Sequence, residues 1–243
     1  MTFRSFATLP SFHDEPTGLS VSIVVPVRNE AAIIDDFLRH LRGRTEGAEL
    51  LVVDGQSDDG TAARAARQAR VLSASSGRAR QMNAGARATS GEVLWFLHAD
   101  SWIPERALGL LRAALADPRV AGGCFRLEIP DRRLVYRLND RLGNLGVDWF
   151  GMAGGDHGLF VRRAVFERIG GYPEVPILED IELYRRSRRL GSMRQLPAAI
   201  RTSPRRWERN GPWRTTAVYA AILALYRLGV PIERLDHLYR RLR

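Results

Sequence analysis

With 243 residues, 45% of them hydrophobic and 26% charged, the chain fits one α/β domain with a large core. Its formal charge of +10 points toward nucleic acid or a membrane surface, but every basic residue is Arg, so genome composition accounts for much of the excess. The absence of Lys excludes a lysine Schiff base and a Walker-type phosphate loop; the single Cys124 excludes an internal disulfide or a cysteine zinc site and fits a reducing compartment.

Residues 1–19 lack periodicity and an apolar leader, so they read as a loose N-terminal arm without a secretory signal. Residues 20–243 show no repeat or linker and read as a single domain. Val21–Val27 is mostly β-branched and predicts a buried strand, ending at Pro26-Val27-Arg28-Asn29-Glu30. Apolar spacing at Ile33, Ile34, Phe37, Leu38 and Leu41 then predicts a helix over 31–41. Leu50–Val53 is the next strand, and the acidic turn Asp54–Thr61 opens an Ala-rich helix over 61–69. Val71 and Leu72 form a short strand before a helix over 77–88, which carries Arg78, Arg80, Gln81 and Asn83 in its first turns. The fourth strand, Val93–Leu97, is apolar throughout, as in a parallel sheet covered by helices on both faces. No Gly-x-Gly-x-x-Gly follows the first strand, which disfavours a nicotinamide enzyme.

Beyond Asp100 the strand–helix period breaks. A longer strand is predicted over 120–129, an amphipathic helix over 132–145, and a Gly-rich stretch over 150–157. A strand over 159–162 and a short helix over 164–169 follow, stopped by Gly170-Gly171. Glu179-Asp180 heads a helix over 181–189, residues 193–202 contain edge strands, and terminal helices cover 213–228 and 232–242. The 213–228 helix is apolar nearly all round, which predicts burial in the core or a homodimer interface. Its apolar run is too short to span a bilayer.

Asp54 and Asp100 follow the second and fourth strands, at the sheet edge where ligands bind in open α/β folds. His98 and Asp100 lie two apart; on extended chain they point the same way and can share one cation or phosphate. The alternative is that Asp100 caps a helix near Pro104 and His98 is satisfied by backbone. Glu179 and Asp180 stand at a helix start, where the helix dipole alone favours acids.

Several of these blocks together carry a resemblance. Val21–Glu30, Leu51–Thr61, the Gly77–Gly85 block, Leu97-His98-Ala99-Asp100 at the place of an Asp-x-Asp motif, and Glu179-Asp180 occur in the order and spacing of family 2 glycosyltransferases. The His-Ala-Asp variant and the Ser203–Trp207 segment resemble most the radical-SAM/selenodomain-associated transferase 2 group. The resemblance implies the GT-A nucleotide-diphospho-sugar transferase fold, a mostly parallel central sheet flanked by helices. It implies transfer of a sugar from a nucleotide-diphosphate donor to a small or lipid-linked hydroxyl acceptor, with inversion.

It also implies roles for individual residues. Pro26, Arg28, Glu30 and Asp54 would line the nucleotide pocket, with Arg78 and Asn83 beside the donor. Asp100 would hold Mn²⁺ or Mg²⁺, oxygen-seeking ions that stabilise a leaving diphosphate. His98 would either join it as a ligand, favouring Mn²⁺, or bond to the ribose. Asp180 would be the general base and Glu179 would orient it or bind the acceptor. Asp156 and His157 would contact sugar or acceptor, and Arg205, Arg206 and Trp207 would form a flap over the diphosphate. The chain lacks a Gln-x-x-Arg-Trp motif and membrane-spanning helices, so one transfer per encounter is expected, in the cytoplasm. The 213–228 helix offers a sharper reading as a docking surface for a lipid-linked acceptor at the inner face of a membrane. Two other readings compete: a nucleotidyltransferase and a basic nucleic-acid-binding protein. Arg28-Asn29-Glu30 replaces the Gly-rich basic loop of the first, and the aromatics of the second fall mainly in apolar strands and helices.

Overall fold

The computed structural model describes residues 18–240. The expected arm therefore lies almost wholly outside the described residues, as do the last positions of the helix predicted to 242. The first half forms as the apolar runs require: β1 (Val21–Val27), β2 (Glu49–Asp54), β3 (Arg70–Ser73) and β4 (Val93–Phe96). They pair in parallel in the order β3-β2-β1-β4. Between them lie α1 (Ile34–Arg42), α2 (Thr61–Ala65) and α3 (Arg78–Arg87). Continuous hydrophobicity is required here because both faces are covered. Ile23 and Val25 join one core cluster with Phe37, Leu41 and Trp95, while Val24 joins the opposite one with Met82 and Phe96. α3 lies directly on the sheet at Gly85, where a Cβ would run into Val24 and Val53. Gln81 of the same helix donates its side-chain Nε2 to Val27 O (2.9 Å) and Val53 O (2.8 Å), tying β1 to β2 at the carboxyl edge of the sheet.

The second half reverses direction. After β5 (Ser101–Trp102) and α4 (Ala107–Leu115) come β6 (Val120–Glu128), α5 (Leu134–Phe150), a 3₁₀ turn at Gly155–His157, β7 (Phe160–Arg162), α6 (Arg163–Arg168) and α7 (Glu179–Ser187). β8 (Ser192–Thr202), α8 (Arg205–Asn210), α9 (Pro212–Arg227) and α10 (Ile232–Arg240) complete the chain. β7 runs antiparallel to both β4 and β6, so the eight-stranded sheet is mixed, ordered β3-β2-β1-β4-β7-β6-β8-β5. The expected edge strands over 193–202 are one long strand inside the sheet, parallel to β6 and capped by β5. No helix among the described residues is long and apolar enough to cross a membrane.

The 213–228 helix does not fill the core. α9 buries only Thr215, Thr216 and Ile222, while Trp213 and Leu225 are exposed. Its inward side is narrow because it rests on α5, α8 and α10 rather than on the sheet.

Candidate active site

The parallel strands deliver three acidic positions to one edge. Asp54 ends β2, buried; its Oδ2 accepts the Ser57 N–H (3.0 Å) and its Oδ1 has no partner. A buried carboxylate oxygen without a donor is costly, so this atom carries unused acceptor capacity. Arg28, just past β1, donates to the Ser76 hydroxyl (2.9 Å). Glu30 and Asp100 are bridged by Arg205, whose Nη2 lies 3.4 Å from Glu30 and 3.8 Å from Asp100. Burial raises the pKa of both carboxyls; Arg205 opposes this at each, and a neighbouring acid adds to it, Asp100 for Glu30 and Asp156 for Asp100.

His98 and Asp100 are not on extended chain. β4 stops at Phe96, and the Ser101 N–H donates to His98 O (3.0 Å), so the backbone turns between the two residues, although the His98 charge still acts on Asp100. His98 turns to Asp156, with Nδ1 to Oδ1 at 3.0 Å, while Asp100 faces Arg205. The capping alternative fails as well, because α4 begins at Ala107 with Arg106 before it. Burial alone would lower the His98 pKa, but the Asp156 carboxylate outweighs it and the net shift is upward. Burial would likewise raise Asp156, yet His98, Arg206 and Arg78 hold it well below the usual carboxylate range.

Glu179 and Asp180 open α7, both buried, behind Leu178 at φ 64°, a left-handed conformation that strains a leucine by roughly 1–3 kcal/mol. They are therefore more than dipole partners on a surface helix. Glu179 Oε1 accepts from Arg78 Nη1 (3.2 Å). Asp180 Oδ1 is buried and unpartnered, and burial together with the Glu179 charge pushes its carboxyl up to about 6. The backbone of the 3₁₀ turn passes between the two halves of the site: a Cβ at Gly155 would lie 2.5 Å from His98 Nε2 and 2.6 Å from Asp180 Oδ2.

A cavity of about 640 Å³ opens on this group. Its polar wall includes Arg78, His98, Asp156, Glu179, Asp180 and Arg206. Its apolar wall includes Leu127, Leu142, Met152, Ile177, Ile222 and Leu223. Arg206 donates to the hydroxyls of Tyr219 (2.8 Å) and Tyr239 (3.3 Å), and Trp207 is buried beside it against Tyr219.

The sequence-derived residues thus divide. His98, Asp156, Glu179, Asp180, Arg78, Arg206 and Trp207 line the cavity, while Glu30, Asp100, Arg28, Pro26 and Asp54 lie along the adjoining strand edge, outside its lining. His157 lines the cavity, but its Nδ1 is tied to Phe125 O (3.0 Å) and burial lowers its pKa, which fits a structural imidazole. Asn83 stands apart: its amide bonds both backbone groups of Tyr172 (2.9 Å each), so it packs the loop before α7. Tyr219 and Tyr239, the Arg206 partners, carried no signal in the sequence, since tyrosines on amphipathic helices are common. Among the described residues no group of three or more His, Cys, Asp or Glu could hold a metal by itself.

A four-stranded parallel half with acids at its carboxyl edge, joined to a mixed half that closes a cavity lined by acids and arginines, is the architecture of the GT-A nucleotide-sugar transferases. Solved structures share it. The mannosyltransferase PcManGT from Pyrobaculum calidifontis, solved with GDP-Man and Mn²⁺, matches 96% of this chain and 72% of its own at 20% identity and TM-score 0.68. Glucosyl-3-phosphoglycerate synthase from Mycobacterium tuberculosis, solved with Mn²⁺, UDP and glucosyl-3-phosphoglycerate, matches 88% and 81% at 21% identity and TM-score 0.61. Mannosyl-3-phosphoglycerate synthase from Rubrobacter xylanophilus matches 87% and 75% at 25% identity and TM-score 0.56. No curated protein matches the chain. The family model for glycosyl transferase family 2 matches residues 22–170, and the chain belongs to that family: it is a glycosyltransferase.

Proposed function

We propose that this glycosyltransferase moves a sugar from a nucleotide-diphosphate donor to an acceptor hydroxyl, once per encounter and with inversion, with Asp180 as general base. The observation that carries the reading is the Asp180 carboxylate: buried in the cavity wall beside the Tyr172 hydroxyl, its Oδ1 unpartnered, and raised to about 6 by burial and the Glu179 charge. Glu179, held by Arg78, fixes the helix start behind it. The donor nucleotide lies along the strand edge, where the free Oδ1 of Asp54 accepts from the base and Pro26, Arg28 and Glu30 flank it. His98 and Asp156, locked together, meet the sugar or ribose, and Arg78 and Arg206 offer positive charge toward the departing diphosphate.

The donor set suits a divalent ion only in part. Asp100 has a cation neighbour already in Arg205, and the described residues supply no full cage, so Asp100 would hold Mn²⁺ or Mg²⁺ together with the donor's own phosphates. When bound, the ion supplies Lewis-acid stabilisation of the leaving diphosphate. His98, with Nδ1 on Asp156 and its pKa raised, fits an orienting group better than a ligand. The finer resemblance to the radical-SAM/selenodomain-associated group rests on His98-Ala99-Asp100 and Ser203–Trp207 alone.

Asp180→Asn tests the assignment, because it keeps the shape and removes the base. Calorimetry with UDP- and GDP-sugars and Mn²⁺ should show donor binding within about twofold of wild type, while transfer falls by about 10²–10⁴. Wild-type transfer by this variant removes Asp180 as base.

A further inference from the structure

Among the described residues, α5 carries a long run of exposed apolar side chains. Leu134, Leu138, Leu142, Leu145 and Trp149 follow one another at steps of four, four, three and four residues. At 100° per residue they fall within about 80° of arc, a straight stripe about 22 Å long. All five are exposed, Leu134 at 69% and Trp149 at 72%. Val135, Tyr136, Gly146 and Val147 face the protein from the neighbouring arc, so the helix carries two adjoining apolar sectors, one buried and one exposed. Core packing explains only one of them.

α9 lies beside it and repeats the pattern. Its exposed residues include Trp213, Ala217, Ala220, Ala221, Ala224 and Leu225, with Arg214 and Arg227 exposed among them, and Leu228 just beyond is 80% exposed. The two helices touch, and Arg227 of α9 lies over the Phe150 ring of α5 at 4.2 Å. Two neighbouring helices thus present one uncovered apolar surface with a tryptophan on each. Monomeric proteins seldom leave such surfaces bare without an occupant.

Charge at the rim selects that occupant. Arg137 and Arg141 border the α5 stripe, are exposed and form no ion pair among the described residues; Asp148 on the same edge is paired with Arg126 (3.6 Å), which leaves the rim net basic. Exposed arginines along a leucine and tryptophan stripe match the headgroup layer of an anionic bilayer, with hydrocarbon beneath it. The same surface leads into the cavity: Leu142 of α5 and Ala220 and Leu223 of α9 line it together with Asp180.

We propose that the α5–α9 face docks on an anionic lipid bilayer, and that the acceptor is an amphiphile drawn from it whose hydrocarbon part passes between α5 and α9 toward Asp180. The acceptor half rests on the transfer reading above; the docking half does not. Lipid contact also explains why α9 buries threonines and exposes leucine and tryptophan.

The test is co-sedimentation of the full chain with vesicles of phosphatidylcholine alone and of phosphatidylcholine with 30% phosphatidylglycerol. Wild type should pellet with the anionic vesicles and stay in solution with the neutral ones. Leu138→Glu with Leu145→Glu, both at exposed positions, should cut the bound fraction at least about tenfold, and Arg137→Glu with Arg141→Glu should do so at low salt. Quenching of wild-type tryptophan emission by bromolipid gives a second reading that needs no variant. Absence of pelleting and quenching, or pelleting unaffected by either pair, overturns the proposal. So does a wild-type dimer that the leucine pair dissociates, or retention on a single-stranded oligonucleotide in place of vesicles. Nucleotide binding without vesicles, read by calorimetry, separates the two ideas. A chain that binds donor but no lipid loses only the docking surface, and one that binds lipid but no donor loses only the transfer reading.

Discussion

Gly155→Ala is the sharpest probe of the site's assembly, because the structure isolates what the added methyl would do. Gly155 does not sit in the left-handed region, so alanine adds no backbone strain there. The methyl would instead stand 2.5 Å from His98 Cε1 and Nε2 and 2.6 Å from Asp180 Oδ2. Ordinary carbon contacts lie at about 3.5–4.0 Å, so imidazole and carboxylate must each retreat by about 1 Å. Overpacking of this kind costs about 1–3 kcal/mol, or a fall of about 2–12 °C in melting temperature for a chain of this size. Transfer should suffer more, since a misplacement of about 1 Å at reacting groups lowers the rate by about 10². Donor binding along the Asp54 edge should hardly change. Gly154→Ala is the control: its Cβ would meet nothing within 4 Å, and its φ of −84° suits any residue. The assays are thermal melting, calorimetry with a nucleotide sugar and initial-rate transfer, run on both variants. Should Gly155→Ala transfer at the wild-type rate, or Gly154→Ala melt equally low, His98 and Asp180 do not flank a working space.

Three further outcomes follow from the charges. With Asp180 raised to about 6, the deprotonated base is lost as pH falls, so log kcat should climb with unit slope below about pH 6 and level off above it; a flat profile between pH 5 and 8 refutes the role. Asp140 is also raised to about 6 by burial, above its unfolded value of 3.8, so its contribution favours folding below that value and is lost as pH rises through 6. Asp140→Asn, which keeps an acceptor for the Ile129 N–H, should therefore gain melting temperature relative to wild type between pH 5 and 7.5, and a pH-independent difference would count against it. Arg205→Ala frees Asp100 from a half-exposed cation, so Mn²⁺ alone should bind about two- to fivefold more tightly by calorimetry while a nucleoside diphosphate binds no better; unchanged Mn²⁺ affinity would place the ion elsewhere.

The parallel half of the fold was legible because its strands are apolar on both faces, a pattern that helices on both sides impose. The mixed second half was read less well. β5 has two residues, too few for any periodicity, and β8 mixes Arg194, Gln195 and Arg201 among its apolar positions, which reads as an edge. Its place inside the sheet follows from pairing to β6 and β5, which composition does not encode. The C-terminal helices show the same limit from the other side. Hydrophobic pattern says how much apolar surface α9 carries, but whether a partner covers it depends on where β8 and α8 deliver the chain.

The site was legible as residue types and partly illegible as contacts. Acids at strand ends and at the α7 start follow from motif and topology, and the structure seats Glu179, Asp180 and Asp156 on one cavity. What joins them lies far apart in sequence: His98 to Asp156 across 58 residues, Arg78 to Glu179 across 101, Glu30 to Arg205 across 175. Asn83 sits inside a motif block and still serves Tyr172, 89 residues away. These pairings share a physical logic. Each buried acid of the cavity meets a cation or stays partly protonated, because an unpaired carboxylate there is too costly. Arg78 and His98 neutralise Glu179 and Asp156, whereas Asp180 has no cation in direct contact and takes up its proton near pH 6 instead. Among these three acids Asp180 is therefore set apart by what its neighbours have already neutralised, a property of the assembled cavity rather than of any motif.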